Sequence, residues 1–284
     1  MVRIAVSIGT VIVTLYMGTV SALIINDGAV TNINSDLGDQ DLQIFNNGAN
    51  PTTVNFVSGA NVDRDVQVFD TSSFTMSDGS IGQALDLNDA SSATVSGGTI
   101  GDGINVHGNS TLNLLDGYYG SEDMDFFGTS SIFMSGGNGE SFNSNDSVNA
   151  LITGGALESI SADENAYVEV QSLSSLFDRV SARQSSNIQI FGGSFNFEDL
   201  VSEDTAVIDI YGLSFNLPFG PIAALSGQDL SGILLDGSAF FVSDYTRDRT
   251  AAIILHGPVT MPAPGVLLLM VTGLALLGVD KRGA

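Results

Sequence analysis

A small or acidic residue followed by glycine returns at Ser58-Gly59, Asp78-Gly79, Gly97-Gly98, Asp116-Gly117, Gly136-Gly137, Gly154-Gly155 and Gly192-Gly193. The second members, at 59, 79, 98, 117, 137, 155 and 193, are spaced by 20, 19, 19, 20, 18 and 38 residues, the last step being one skipped turn. Self-similarity at a fixed period of about 19 residues is the mark of a solenoid, whose units bury their apolar faces only against their neighbours.

The residues between the glycines fit one template. Apolar side chains stand five and three positions before each of these glycines and, on the same period, before Leu173 and Leu213: Val54 and Phe56, Phe74 and Met76, Ala93 and Val95, Leu112 and Leu114, Ile132 and Met134, Ala150 and Ile152, Val168 and Val170, Ile188 and Ile190, Ile208 and Ile210. Alternation of this kind predicts a strand with one buried face. A second face follows the glycine with Ile81, Ile100, Tyr119, Leu157, Phe195 and Phe215. A third carries Val66 and Val68, Leu85 and Leu87, Ile104 and Val106, Met124 and Phe126. After Val170, Ser172-Leu173 takes the slot of the missing glycine turn.

Three short strands per turn predict an all-β chain folded as a right-handed parallel β-helix of about nine coils, since the hexapeptide period of left-handed versions is missing from this sequence. The expected organisation is a signal peptide over 1–22, an N-terminal cap over 23–49, the β-helix over 50–216, a C-terminal β cap over 217–258 and a tail with a membrane helix over 259–284. In the first cap, Asp41-Leu42-Gln43-Ile44-Phe45 echoes Asp65-Val66-Gln67-Val68-Phe69.

Charge narrows the partners. Between residues 23 and 264 there are 31 carboxylates against 5 arginines, a net charge of −26. Nucleic acid is therefore disfavoured, because its binding draws on basic contacts. The chain has no cysteine, so no disulfide supports the fold.

The two ends carry addresses. Arg3, the apolar run from Ile4 through Met17 and the small residues Val20-Ser21-Ala22 read as a secretory signal cut after Ala22; the alternative is a buried first strand. At the other end, Pro262-Ala263-Pro264 precedes an apolar run from Gly265 through Val279 and the basic pair Lys281-Arg282. Fifteen such residues span roughly 22 Å as a helix, short of the ~30 Å hydrocarbon core, so a transient anchor fits better than a permanent one. The basic pair would stay cytoplasmic and leave the rest outside.

The order of these elements resembles a PEP-CTERM sorting signal over about the last 25 residues, with Ala263 where the family has Glu and a basic cluster reduced to Lys281-Arg282. The resemblance implies recognition of Pro262, Ala263, Pro264, Lys281 and Arg282 by an exosortase-like membrane enzyme of a Gram-negative bacterium. It further implies an inner-membrane precursor, a cell-surface or matrix destination, and association with exopolysaccharide. An ordinary tail anchor or a buried apolar strand are the other readings of the segment.

Catalytic chemistry has few candidates. Many parallel β-helices are polysaccharide lyases or hydrolases, and the outward column Gln67, Asp86, Asn105, Asp125 is where a sugar or Ca²⁺ could sit, with Asp86 and Asp125 as metal candidates. No Arg or Lys falls on that column. His107 and His256 each stand alone in sequence, and no Gly-x-Ser-x-Gly elbow is present. Gly136-Gly-Asn-Gly139 resembles the opening of a calcium-binding nonapeptide repeat, yet Ser141 occupies the place of the ligating Asp. The expectation is an exported non-enzymatic solenoid without a cofactor, its carboxylates attracting Ca²⁺ at most. A carbohydrate-active enzyme and an adhesin or lattice subunit are the alternatives.

Overall fold

The computed structural model describes residues 22–223 and 228–258. These form an all-β solenoid of about nine turns, and no helix occurs among the described residues. Every expected pair of the first face stacks in parallel register, from Val54 opposite Phe74 to Ile188 opposite Ile208 and from Phe56 opposite Met76 to Ile190 opposite Ile210. All these side chains are buried, Ala93 being the most exposed at 2%. The third face stacks likewise, Val66 on Leu85 on Ile104 on Met124 and onward to Phe142, Ile160, Val180 and Leu200.

Each glycine that ends the expected turn has a positive φ, between 84° at Gly137 and 134° at Gly117. The residue is required there for two reasons. Left-handed backbone strains any side chain, and the preceding coil passes close by: a Cβ on Gly79 would lie 2.3 Å from the Ala60 carbonyl oxygen.

The second face has a glycine in the coil that its expected series skips and a different aromatic at its end. Gly139 stands in the coil after Tyr119, and the room it leaves is taken by the Met124 methyl, 2.6 Å from where its Cβ would be. Neighbouring Gly137 faces the Tyr119 ring in the same way. The run Gly136 to Gly139 that resembles a calcium repeat thus serves packing. At the end of the face, Phe195 stacks on Phe240, whereas Phe215 lies off the stack beside Gly232 of an antiparallel strand.

Both end segments join the coil. Ala22–Ile25 lies parallel to Asp41–Ile44, and Val30–Ile33 to Thr53–Phe56, so residues 23–49 close the stack as a coil of their own. The echo between 41–45 and 65–69 is a true rung, with Phe45 and Phe69 stacked at 4.5 Å and 3°. At the other end, Ala239–Arg247 and Ala252–His256 add a last parallel coil, while Leu230–Leu234 and Gly220–Pro221 pair antiparallel with them. Antiparallel cover of this sort stops further strand addition. Arg247 fastens the end, its guanidinium donating to the carbonyls of Ile222, Asp248 and Ala251 at 2.8–3.1 Å.

Among the described residues no helix is long and apolar enough to cross a membrane. The expected signal segment up to residue 21, the apolar run from Gly265 through Val279, and Pro262, Ala263, Pro264, Lys281 and Arg282 lie outside the described residues.

Tyr119 offers a test of the packed interior. Its hydroxyl lies 3.3 Å from the Gly136 carbonyl, and burial holds its pKa well above the ordinary 10.0. The neutral ring therefore contributes stability that is complete below about pH 10 and is lost as pH rises beyond it, because only the unfolded chain ionises there. Thermal melts between about pH 8 and 11 should fall at the alkaline end, and Tyr119→Phe should flatten part of that fall.

Candidate functional site

The outward column of the third face is a ladder of alternating amides and carboxylates. Gln43 donates to Gln67 (2.9 Å), Gln67 to Asp86 (3.4 Å), Asn105 to Asp86 (2.9 Å), and Asn143 to Asp125 (3.0 Å). Parallel stacking places like positions one rung, ~4.8 Å, apart, so Gln67, Asn105 and Asn143 each meet a carboxylate above or below, while Gln43 meets the Gln67 amide. Asp86 and Asp125 occupy alternate rungs with Asn105 between them, roughly 10 Å apart along the stack. Ca²⁺ holds its oxygens at about 2.3–2.6 Å, so the two carboxylates do not close on one ion.

Asp125 instead belongs to an open groove of about 460 Å³, shared with Asp102, Glu122, Asp123, Glu140, Asn105 and Ser121. Five carboxylates and no basic group line it. No group of three or more metal-ligating side chains converges among the described residues. The groove can gather solvated cations through its field.

A second acidic feature runs along the corner after the third face. Asp70, Asp89, Asp146, Glu164, Gln184 and Asp204 adopt φ of 55–63°, alongside Gly108 and Gly128 at the same turn. Asp and Asn tolerate this left-handed backbone when the side chain bonds locally. Here the bonds run between coils: the backbone N–H groups of Asn46, Asp70, Gly128, Gln184 and Asp204 donate to the carboxylates of Asp70, Asp89, Asp146, Asp204 and Asp248 at 2.7–3.2 Å. Much of the acidity therefore has a structural task. Arginines bridge adjacent coils too, Arg64 to Asp41, Arg179 to Asp199 and Arg183 to Glu203, at 2.7–2.9 Å in exposed positions. Such exposed pairs contribute little each.

The most chemically varied cluster lies on the first face of the last coils. His256 Nε2 is 2.7 Å from Asp209 Oδ1, and its ring stacks on Tyr211 at 4.4 Å, which stacks on Phe191 at 4.3 Å. Asn187 donates to the other Asp209 oxygen (3.1 Å). Glu169 accepts from Gln171 (2.6 Å) and Tyr167 (3.1 Å), and Gln189 stands between Glu169 and Asp209. Burial, aided by the Glu169 carboxylate, raises the pKa of Tyr167 above its ordinary value, and burial with Asp209 does the same for Tyr211. Both phenols are held neutral, and that of Tyr167 donates to Glu169. In sequence His256 stands alone; its partner is 47 residues away, more than two repeats, so periodicity could not have paired them. His107 likewise has a ring partner, Phe127, stacked at 5.0 Å.

No family model, curated protein or solved structure matches this chain.

With a net charge of −24 over the whole chain, self-repulsion weakens the rod. The melting temperature should rise as added NaCl shortens the Debye length from about 30 Å at 0.01 M to about 8 Å at 0.15 M. CaCl₂ at matched ionic strength should raise it further, through the groove around Asp125. Calorimetry in the two salts checks this, and a Tm indifferent to both removes the electrostatic argument.

Proposed function

We propose that the protein is an exported, non-enzymatic surface or matrix component, built on a right-handed coil and sorted through its C-terminal tail. In this reading an exosortase-like membrane enzyme recognises Pro262-Ala263-Pro264 with Lys281-Arg282, and the delivered rod spaces or contacts extracellular polysaccharide. Right-handedness follows the sense of nearly all parallel β crossovers.

One observation supports the reading most: outward polar groups are bonded from rung to rung in two runs of the same column, from Gln43 to Asn105 and from Asp125 to Asn143. A surface so tied is a rigid display. The position of the first strand is compatible with export, since Ala22–Ile25 pairs with Asp41–Ile44 and a cut after Ala22 leaves residues 23–25 on the ladder.

Fractionation with N-terminal sequencing and intact mass tests the proposal. The exported form should begin at Leu23 and lack residues 265–284, and Lys281→Glu with Arg282→Glu should block delivery. A surface form that still carries Met17 would overturn the cut after Ala22, and one that keeps residues 265–284 would favour a plain anchor. The carbohydrate-active enzyme draws support from the cluster of Glu169, Asp209, Tyr211 and His256. Release of sugar from a glycan panel, abolished by Asp209→Asn, would establish it.

A further inference from the structure

Phe177, Asn196 and Phe241 stand on three successive rungs of the second face. Leu176 pairs with Phe195 and Phe195 with Phe240, all three buried, and the next residue on each strand turns outward; Asn196 pairs with Phe241, while a bulge opens between Leu176 and Arg179, so Phe177 lies just beyond the last in-register pair. The two rings are 55% and 39% exposed. With Asn196 on the rung between them, they lie roughly 10 Å apart along the rod. Two large rings turned outward on one face of neighbouring coils give an extended ligand an apolar surface to lie on.

We propose that Phe177, Asn196 and Phe241 form a platform for a neutral, extended, β-linked polysaccharide lying along the rod axis. Alternate pyranose rings would lay their C–H faces on the two phenyl rings, while the Asn196 amide meets hydroxyls of the sugar between. An extended β-1,4-linked chain turns the same ring face outward at every second sugar, a repeat close to two rungs of a parallel sheet. The charge sets the rest of the specificity. Asp178 follows Phe177 and Glu198 stands two residues beyond Asn196, both exposed, and Arg179 is engaged by Asp199, so a polyanionic glycan is repelled. The inference names the ligand class for the glycan contact in the proposed function and rests on that reading for its setting.

The test is affinity electrophoresis of the full chain in a polyoxyethylene detergent, which has no sugar headgroup. Gels would contain hydroxyethyl cellulose, laminarin or polygalacturonate. Retardation is expected with hydroxyethyl cellulose, whose β-1,4-linked backbone has the matching repeat, and not with the β-1,3-linked laminarin or with polygalacturonate. Phe177→Ala with Phe241→Ala should weaken binding about tenfold or more, and Phe177→Trp with Phe241→Trp should retain it. Should the double alanine variant not fold, Asn196→Ala supplies the second measurement, with binding expected to weaken several-fold while both rings remain.

Absence of retardation by hydroxyethyl cellulose, equal retardation by laminarin, or retardation unchanged in these variants overturns the proposal. So does self-association, or binding to phosphatidylcholine vesicles, that depends on the two rings in a protein indifferent to glycan. Glucan binding by a protein that is never exported would remove the export reading alone. A correctly exported protein that binds no glucan would remove this one alone.

Discussion

Replacing Leu114 by Asp should destabilise the protein by more than about 4 kcal/mol and should prevent folding if the margin is ordinary. Leu114 is fully buried between Val95 and Met134 on the first face, with a neighbouring rung on either side. A carboxylate there has no partner, and the stack gives it no route to water. The matched control is Asn109→Asp on an exposed corner, whose side-chain oxygen accepts from Thr129 at 3.3 Å and would still do so. That change should stay within roughly 0.5 kcal/mol. Asn113, although it alternates with Leu112 and Leu114, is a poor control: it is only 8% exposed and donates to Thr94. Denaturant melts of the two variants decide the matter, and equal losses would contradict the strand phase.

Gly79→Ala should cost about 3 kcal/mol or more, from two additive causes. Its φ of 96° strains any side chain by about 1–2 kcal/mol, and the new methyl would sit 2.3 Å from the Ala60 carbonyl oxygen, which belongs to the coil below and cannot retreat without opening the ladder. Gly237→Ala separates the causes. Its φ of 87° is similar, but nothing lies within 4 Å of the new Cβ, so only the strain remains, about 1 kcal/mol. A Tm loss as large at Gly237 as at Gly79 would show that close coil contact is not the reason for the repeat's glycines.

The legible part of this fold was the local part. Val54, Phe56 and their eight successors announce a buried strand because alternation is a property of one strand. The glycines from 59 to 193 announce a corner because positive φ is a property of one residue. Each signal is weak once and decisive when repeated, so coil, faces and period could be read directly. The cap strand Ala239–Arg247 could not, because no repeat leads to it. The role of the acids was hidden as well. Asp70, Asp89 and Asp204 look like solvated charge in the sequence, yet they satisfy or receive backbone N–H groups of adjacent coils.

What the sequence by itself determined is therefore the coil: its period, its inward residues and its corners. The tertiary structure alone decided which side chains share an outward column once the period breaks. The hairpin built around Leu230–Leu234 inserts enough chain that Asp209 meets His256 and Phe195 meets Phe240 after 47 and 45 residues instead of about 20. The groove around Asp125 was decided the same way, since Asp102, Glu122 and Glu140 converge only when successive coils are stacked. The physical reason is common to both. Burial and backbone conformation are imposed on each residue by its own strand, whereas a surface site is assembled from rungs whose alignment depends on every loop between them.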